Sequence, residues 1–250
     1  MKLTVTHTLT LALASPPRAV AHLLLTPLST PQQRVERWSI DMPGLAQAAV
    51  FRDGFGNRAH LVSQHKPGDT LVVTATGSIE TIDKAGVLGR LDYDPPPAMY
   101  LRSTALTLPD ETLLAGIDGG RIAMLHELMD RVHDRTGPTQ TQSADSQEQS
   151  AGTSDVAALT HAFVAGARAL DIPARYVTGY VFDEGEASVH AWAEAWDEGL
   201  GWIGFDPTLN FCPSDTHIRL ASGLDATGAT PLRMVPAPAD ITQSVEIIAA

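Results

Sequence analysis

The period of the hydrophobic pattern changes twice along this chain, and that succession leaves few folds open. From Met1 to about Asp94 the apolar residues mostly alternate, with breaks of turn chemistry at Ser15-Pro16-Pro17, Pro43-Gly44, Asp53-Gly54, Gly56-Asn57, Pro67-Gly68-Asp69 and Lys84-Ala85-Gly86. A period of two gives each strand one apolar face, so this stretch predicts an all-β unit. Its clearest strand is Thr70 to Thr81, with Leu71, Val73, Ala75 and Ile79 on one side. After Gly119-Gly120 the spacing becomes helical: Ile122, Leu125, Leu128, Met129 and Val132 form one stripe, predicting a helix from about Arg121 to His133. A second helix is predicted from Ser154, a good N-cap, to about Leu170, through Val156, Leu159, Phe163 and Ala167. From Ala174 the pattern returns to strand.

These periods predict an α+β chain divided as 1–94, an N-terminal β domain; 95–120, a connector stiffened by Pro95-Pro96-Pro97; and 121–250, a second domain. Within the second domain, 134–153 is almost free of apolar residues and is expected to be a mobile loop, because it has no surface to bury against its ordering entropy. The last segment, Pro231 to Ile248, with Ile241, Thr242, Val245 and Ile247, is expected to return as strand to one of the sheets.

Seventeen Lys plus Arg against 29 Asp plus Glu give a net charge of −12, a field that repels a phosphate backbone, so nucleic acid is excluded as a partner. No run reaches the ~20 apolar residues of a membrane helix, and Leu3 to Leu13 alternates with threonines instead of forming a signal-peptide core. The single cysteine, Cys212, allows neither an internal disulfide nor a cysteine-based zinc site. The expectation is a cytoplasmic protein without a membrane partner. None of the nine histidines shows His-x-x-x-His spacing, so neither a metal nor a cofactor is expected.

Ser188 to Trp196 alternates strictly, which puts His190, Trp192, Glu194 and Trp196 on one strand face. Trp202 to Asp206 alternates again after a glycine-containing turn. A hairpin pairing Trp196 with Trp202 sets Asp206 opposite Trp192 and diagonal to His190, a slip of two residues sets His190 and Asp206 directly opposite, and in either register the two share a face and can hydrogen-bond. Such a carboxylate fixes the imidazole tautomer while the other ring nitrogen exchanges a proton with a nucleophile. Trp192 and Trp202 are candidates to line a substrate groove, with aromatic cross-strand packing as the alternative.

Three runs carry a resemblance: Ile172-Pro173-Ala174-Arg175-Tyr176-Val177-Thr178-Gly179-Tyr180, His190-Ala191-Trp192-Ala193-Glu194, and Gly201-Trp202-Ile203-Gly204-Phe205-Asp206-Pro207-Thr208. They resemble the core motifs of the bacterial transglutaminase-like proteins. Arg52-Asp53-Gly54-Phe55-Gly56-Asn57-Arg58 is similar to a turn of that family's N-terminal β domain, and Tyr100-Leu101-Arg102-Ser103-Thr104 to its connector. The resemblance implies a papain-like α+β core with a Cys, His, Asp triad, in which His190 and Asp206 match the last two. Counting back from Ile172-Pro173 through Arg168, Phe163 and His161 puts the cysteine position on Val156, which has no nucleophile.

Loss of a triad nucleophile removes a factor on the order of 10⁶ in rate. The expectation is therefore a pseudoenzyme: a noncatalytic protein that binds a peptide or protein partner or regulates an active relative. The resemblance suggests a peptide-ligase-like neighbour as that partner. The alternative is an amidase- or peptidase-like hydrolase using Ser154 or an activated water with His190 and Asp206. Cys212 follows Asp206 and would have to return to the helix by a path the family does not use.

Overall fold

Thr70–Thr81 is a strand over those same residues, with Leu71, Val73, Ala75 and Ile79 buried and Thr70, Val72 and Thr76 exposed. The computed structural model describes residues 1–135, 148–183 and 185–249, and for 148–154 it describes the backbone alone. In chain order come β1 (Lys2–Ala12), β2 (Arg18–Thr26), β3 (Gln33–Asp41), β4 (Ala49–Arg52), β5 (Arg58–His65), β6 (Thr70–Thr81) and β7 (Val87–Gly89). The helices α1 (Glu111–Leu114), α2 (Arg121–His133) and α3 (Glu148–Ala169) follow. The chain then forms β8 (Ala174–Asp183), β9 (Glu186–Asp197), β10 (Gly201–Phe205), β11 (His217–Gly223), one turn of α4 (Ala226–Ala229), β12 (Leu232–Val235) and β13 (Asp240–Ala249).

Among the described residues the strands make three antiparallel sheets, ordered β13-β1-β6-β3, β12-β2-β5-β4 and β11-β8-β9-β10-β7. The first two enclose a core in which Val5 and Leu11 of β1 and Val73 of β6 meet Ala21 and Leu23 of β2 and Val62 of β5. The same cluster takes in Tyr180 of β8 and Ile218 of β11, so the third sheet packs directly on the β unit. Its other face carries the helices: Leu125, Leu128 and Val132 of α2 and Phe163, Val164 and Ala167 of α3 cover Ala193, Ala195 and Phe205. The helical stripe thus buries the apolar side of a half-covered sheet, which stabilises each fully buried Leu or Phe by about 2 kcal/mol relative to exposure.

Three pairings cross the sequence division at 94 and 120. β7 lies in the third sheet beside β10, and β12 and β13 leave the second half to pair with β2 and β1. The closing strand is thus the returning segment that its β-branched residues predict, with Ile247 opposite Val5.

α2 occupies the predicted residues, but α3 does not begin at Ser154. Its backbone is helical from Glu148, so Ser154 lies within the helix and is not its N-cap, and Val156 is not at its N-terminus. A cap is worth about 1 kcal/mol, whereas each added residue of an existing helix gains a hydrogen bond, so a polar stretch can extend a helix past a good capping residue. For the loop expected over 134–153, Asp134 and Arg135 close α2, 148–153 are helical, and 136–147 lie outside the described residues.

Candidate active site

β9 and β10 pair in the predicted register, Trp196 opposite Trp202 and Glu194 opposite Gly204, across the turn after Asp197. The hairpin delivers Asp206, just beyond β10, to His190 of β9. His190 Nε2 lies 2.6 Å from Asp206 Oδ2. The carboxylate is held on its other side as well, since Oδ1 accepts the backbone N–H groups of Thr208 at 2.9 Å and Leu209 at 3.1 Å. These two bonds form the turn that follows the strand and fix the carboxylate plane.

A third side chain joins the pair. His217, the first residue of β11, places Nε2 3.2 Å from the same Asp206 Oδ2. Relative exposures of 6% for His190, 0% for Asp206 and 6% for His217 take the group out of bulk water. Burial alone raises a carboxyl pKa. Here hydrogen bonds from His190 and His217 outweigh it and hold Asp206 down at about 2, so it is ionised at neutral pH. Among the described residues His190 Nδ1 has no hydrogen-bond partner, which leaves that nitrogen to accept or give a proton.

Sequence reasoning does not reach His217. Thr216 to Leu220 reads locally as a strand, but whether His217 faces Asp206 depends on β11 returning antiparallel beside β8, a long-range pairing that no local pattern encodes. Three neighbours set the ring. Trp192 meets it edge-on at 5.3 Å, Phe211 likewise at 5.7 Å, and Thr216 Oγ1 lies 3.1 Å from Nδ1. Trp192 reaches it across Gly179, which pairs with His190; a Cβ there would sit 2.6 Å from the indole and 2.1 Å from the Ile218 carbonyl oxygen.

Val156 is half-buried against a small apolar cluster of Tyr176, Ala191 and Ala229. Thr160, one turn on, donates its hydroxyl to the Val156 carbonyl at 2.8 Å, and its Oγ1 lies 3.3 Å from the carbonyl oxygen of Ala191, the residue after His190. That tie places this turn of α3 alongside the histidine strand. Cys212 makes no hydrogen bond with His190, and burial raises its thiol pKa. His161 is a packing residue: its Nε2 accepts the Ala226 backbone N–H at 3.0 Å and its ring lies 4.8 Å from that of Tyr176.

Trp192 and Trp202 are buried at 3% and 0% exposure; Trp202 packs on its cross-strand partner Trp196 at 5.3 Å, and Trp192 on the His217 ring. Trp202 lies under the Arg175 guanidinium at 3.9 Å and edge-on to Tyr100 at 5.1 Å. Arg175 in turn donates to Glu194 at 2.5 Å and Asp94 at 2.8 Å, while Arg219 donates to Glu194 at 2.8 Å. Glu194 thus serves a buried ion-pair network. Burial opposes its ionisation, but the two arginines keep its pKa below the usual carboxylate value.

β11 is an edge strand, and two side-chain amides satisfy its free backbone groups. Gln33 donates to the Arg219 carbonyl and accepts the Arg219 N–H, both at 2.8 Å. Asn57 does the same for Ser222 at 2.7 and 2.9 Å. Asn57 is itself set by Asp53, so the glycine-rich turn noted in the sequence is a clamp on the strand that begins with His217.

Comparison with known proteins matches both halves of the chain. Residues 122–207 match the family model described as the transglutaminase-like superfamily, and residues 3–80 that of the bacterial transglutaminase-like N-terminal region. An uncharacterized protein of Mycobacterium leprae is 27% identical over 240 residues, 84% of this chain and 83% of that one. The crystal structure of a candidate cysteine protease from Cytophaga hutchinsonii superimposes with a TM-score of 0.72 at 22% identity, covering 99% of this chain and 90% of that one. The fold is therefore of the transglutaminase-like, papain-like kind with an N-terminal β domain. Among the described residues no helix is long and apolar enough to cross a membrane.

Proposed function

We propose, on the premise that the two matches support transglutaminase-like membership, that this chain keeps the His–Asp half of the family's triad without its thiol. Position 156 is the seat of the missing cysteine, and the protein is a noncatalytic binding or regulatory protein for a peptide or protein partner, working in the cytoplasm. A peptide-ligase-like neighbour is the candidate partner. The single observation that carries the reading is Val156 packed against Tyr176, Ala191 and Ala229 beside a strand whose His190 and Asp206 are hydrogen-bonded. Family acyl transfer needs a thiolate that attacks a carbonyl and leaves as a thioester, and an isopropyl group can do neither.

Thermal shift of the purified protein against peptide pools tests the binding role. A ligand of the native state stabilises it by RT ln(1 + [L]/Kd), about 2.7 kcal/mol at a hundredfold excess over Kd, and so raises Tm. A rise that a Val156→Trp substitution abolishes is expected. Pools that leave Tm unchanged at millimolar concentration overturn the binding role.

A second reading is favoured by His190 Nδ1, which has no hydrogen-bond partner among the described residues: a hydrolase in which His190 activates a water or Ser154. Ser154 is two residues from 156, roughly 200° around the helix. Fluorophosphonate labelling of wild type but not Ser154→Ala supports the serine route.

A further inference from the structure

Two imidazoles and a carboxylate converge in the site, and the triad accounts for only one of the imidazoles. We propose that His190, Asp206 and His217 form a binding site for one divalent transition-metal ion of the zinc class. Chain spacing hides it, since 16 residues separate His190 from Asp206 and 11 separate Asp206 from His217. The fold brings their donor atoms within 4.8 Å of one another. A tetrahedral zinc site with bonds near 2.1 Å sets donors about 3.4 Å apart, so ligation needs movements of about an ångström in side chains alone.

The donor set selects the ion. Two neutral imidazole nitrogens and one carboxylate oxygen suit zinc, cobalt, nickel or ferrous iron, whereas magnesium and calcium require a shell of oxygens. The outer contacts are those of a ligand set. Thr208 and Leu209 hold the carboxylate plane through Oδ1 and leave Oδ2 to the ion. The Thr216 hydroxyl, 3.1 Å from His217 Nδ1, can accept its proton and direct the Nε2 lone pair inward. The Ser214 backbone N–H donates to the same Nδ1 at 3.4 Å, a longer contact that suits the other tautomer, with Nε2–H toward Asp206, and an ion at Nε2 displaces that proton. Three protein ligands leave a coordination position for water, the arrangement of open zinc sites and not of closed structural ones.

The proposal goes beyond the noncatalytic reading and does not depend on it, because metal binding is measured without turnover. Metal-free full-length protein is titrated with CoCl2 and followed by visible absorption, then with ZnCl2. The expected result is a d–d band that saturates at one equivalent of cobalt and bleaches with one equivalent of zinc. His217→Gln keeps a donor to Asp206 and removes a ligand, and weakens binding by at least about 100-fold. His65→Ala, on the surface, leaves the titration unchanged. If His217→Gln loses its native circular dichroism, His190→Gln gives the same reading. The proposal is overturned if wild type shows no band, or if the band persists at equal affinity in His217→Gln or His190→Gln, which would mark an adventitious ion at other histidines only.

Discussion

Asn57 and Ser222, 165 residues apart, exchange two hydrogen bonds between a side-chain amide and a strand backbone, at 2.7 and 2.9 Å. The contact completes the edge of β11 with a side chain from the N-terminal unit, so the strand that carries His217 is positioned by a turn outside its own sheet. Asn57→Ala leaves a buried N–H and a buried C=O without partners, each costing about 1–3 kcal/mol. Calorimetry should show Tm lowered by about 4–24 °C for a chain of this size. A change under 1 °C means that water replaces the clamp.

Gly179 is required by the space above it. Gly179→Ala drives a methyl into the Trp192 ring and the Ile218 carbonyl, and overpacking of this kind costs about 1–3 kcal/mol. Because Trp192 braces His217, the substitution should also shift the His217 ring resonances in NMR spectra, whereas Gly68→Ala, in open surroundings, should not.

His7 supplies a pH dependence. It is buried in β1 with Nδ1 3.0 Å from the Tyr180 hydroxyl, and burial lowers its pKa from 6.5 to about 4. Between those values the unfolded chain binds a proton that the native state refuses, so stability is complete above about pH 6.5 and is lost as pH falls toward 4. The loss is on the order of 3 kcal/mol at most. Urea denaturation from pH 7 to 4 should show a shallower decline for His7→Gln, and parallel curves would contradict the assignment.

Thiol reactivity at position 156 checks the alignment. Since α3 begins at Glu148, the helix terminus does not activate a thiol introduced by Val156→Cys, and His190 must do so alone. Iodoacetamide at pH 7 should label that thiol about tenfold faster than Cys212, whose pKa burial raises, and His190→Ala should remove the advantage. Equal rates at the two positions would show that 156 is not beside the imidazole.

Much of this architecture is legible in the sequence, for reasons that can be named. β6 and α2 fall on their predicted residues because period-two and helical spacing are local signals, and the Trp196–Trp202 register follows from turn length and parity. The same parity brings His190 to Asp206. What escapes is set by distant partners. His217, Gln33 and Asn57 act across pairings that loop length and composition do not reveal. Arg168 is a further case: its guanidinium donates to the carbonyls of Tyr100, Ala174 and Leu224 and to Thr107, tying the connector to α3. The start of α3 escapes because a capping preference is weaker than helix propagation.

The central claim is that a His–Asp pair persists here without a nucleophile. Amidase and transamidase assays on purified wild type, His190→Ala and Cys212→Ala test it most directly. The account predicts no turnover above buffer in all three; wild-type turnover that His190→Ala abolishes and Cys212→Ala leaves intact would contradict it.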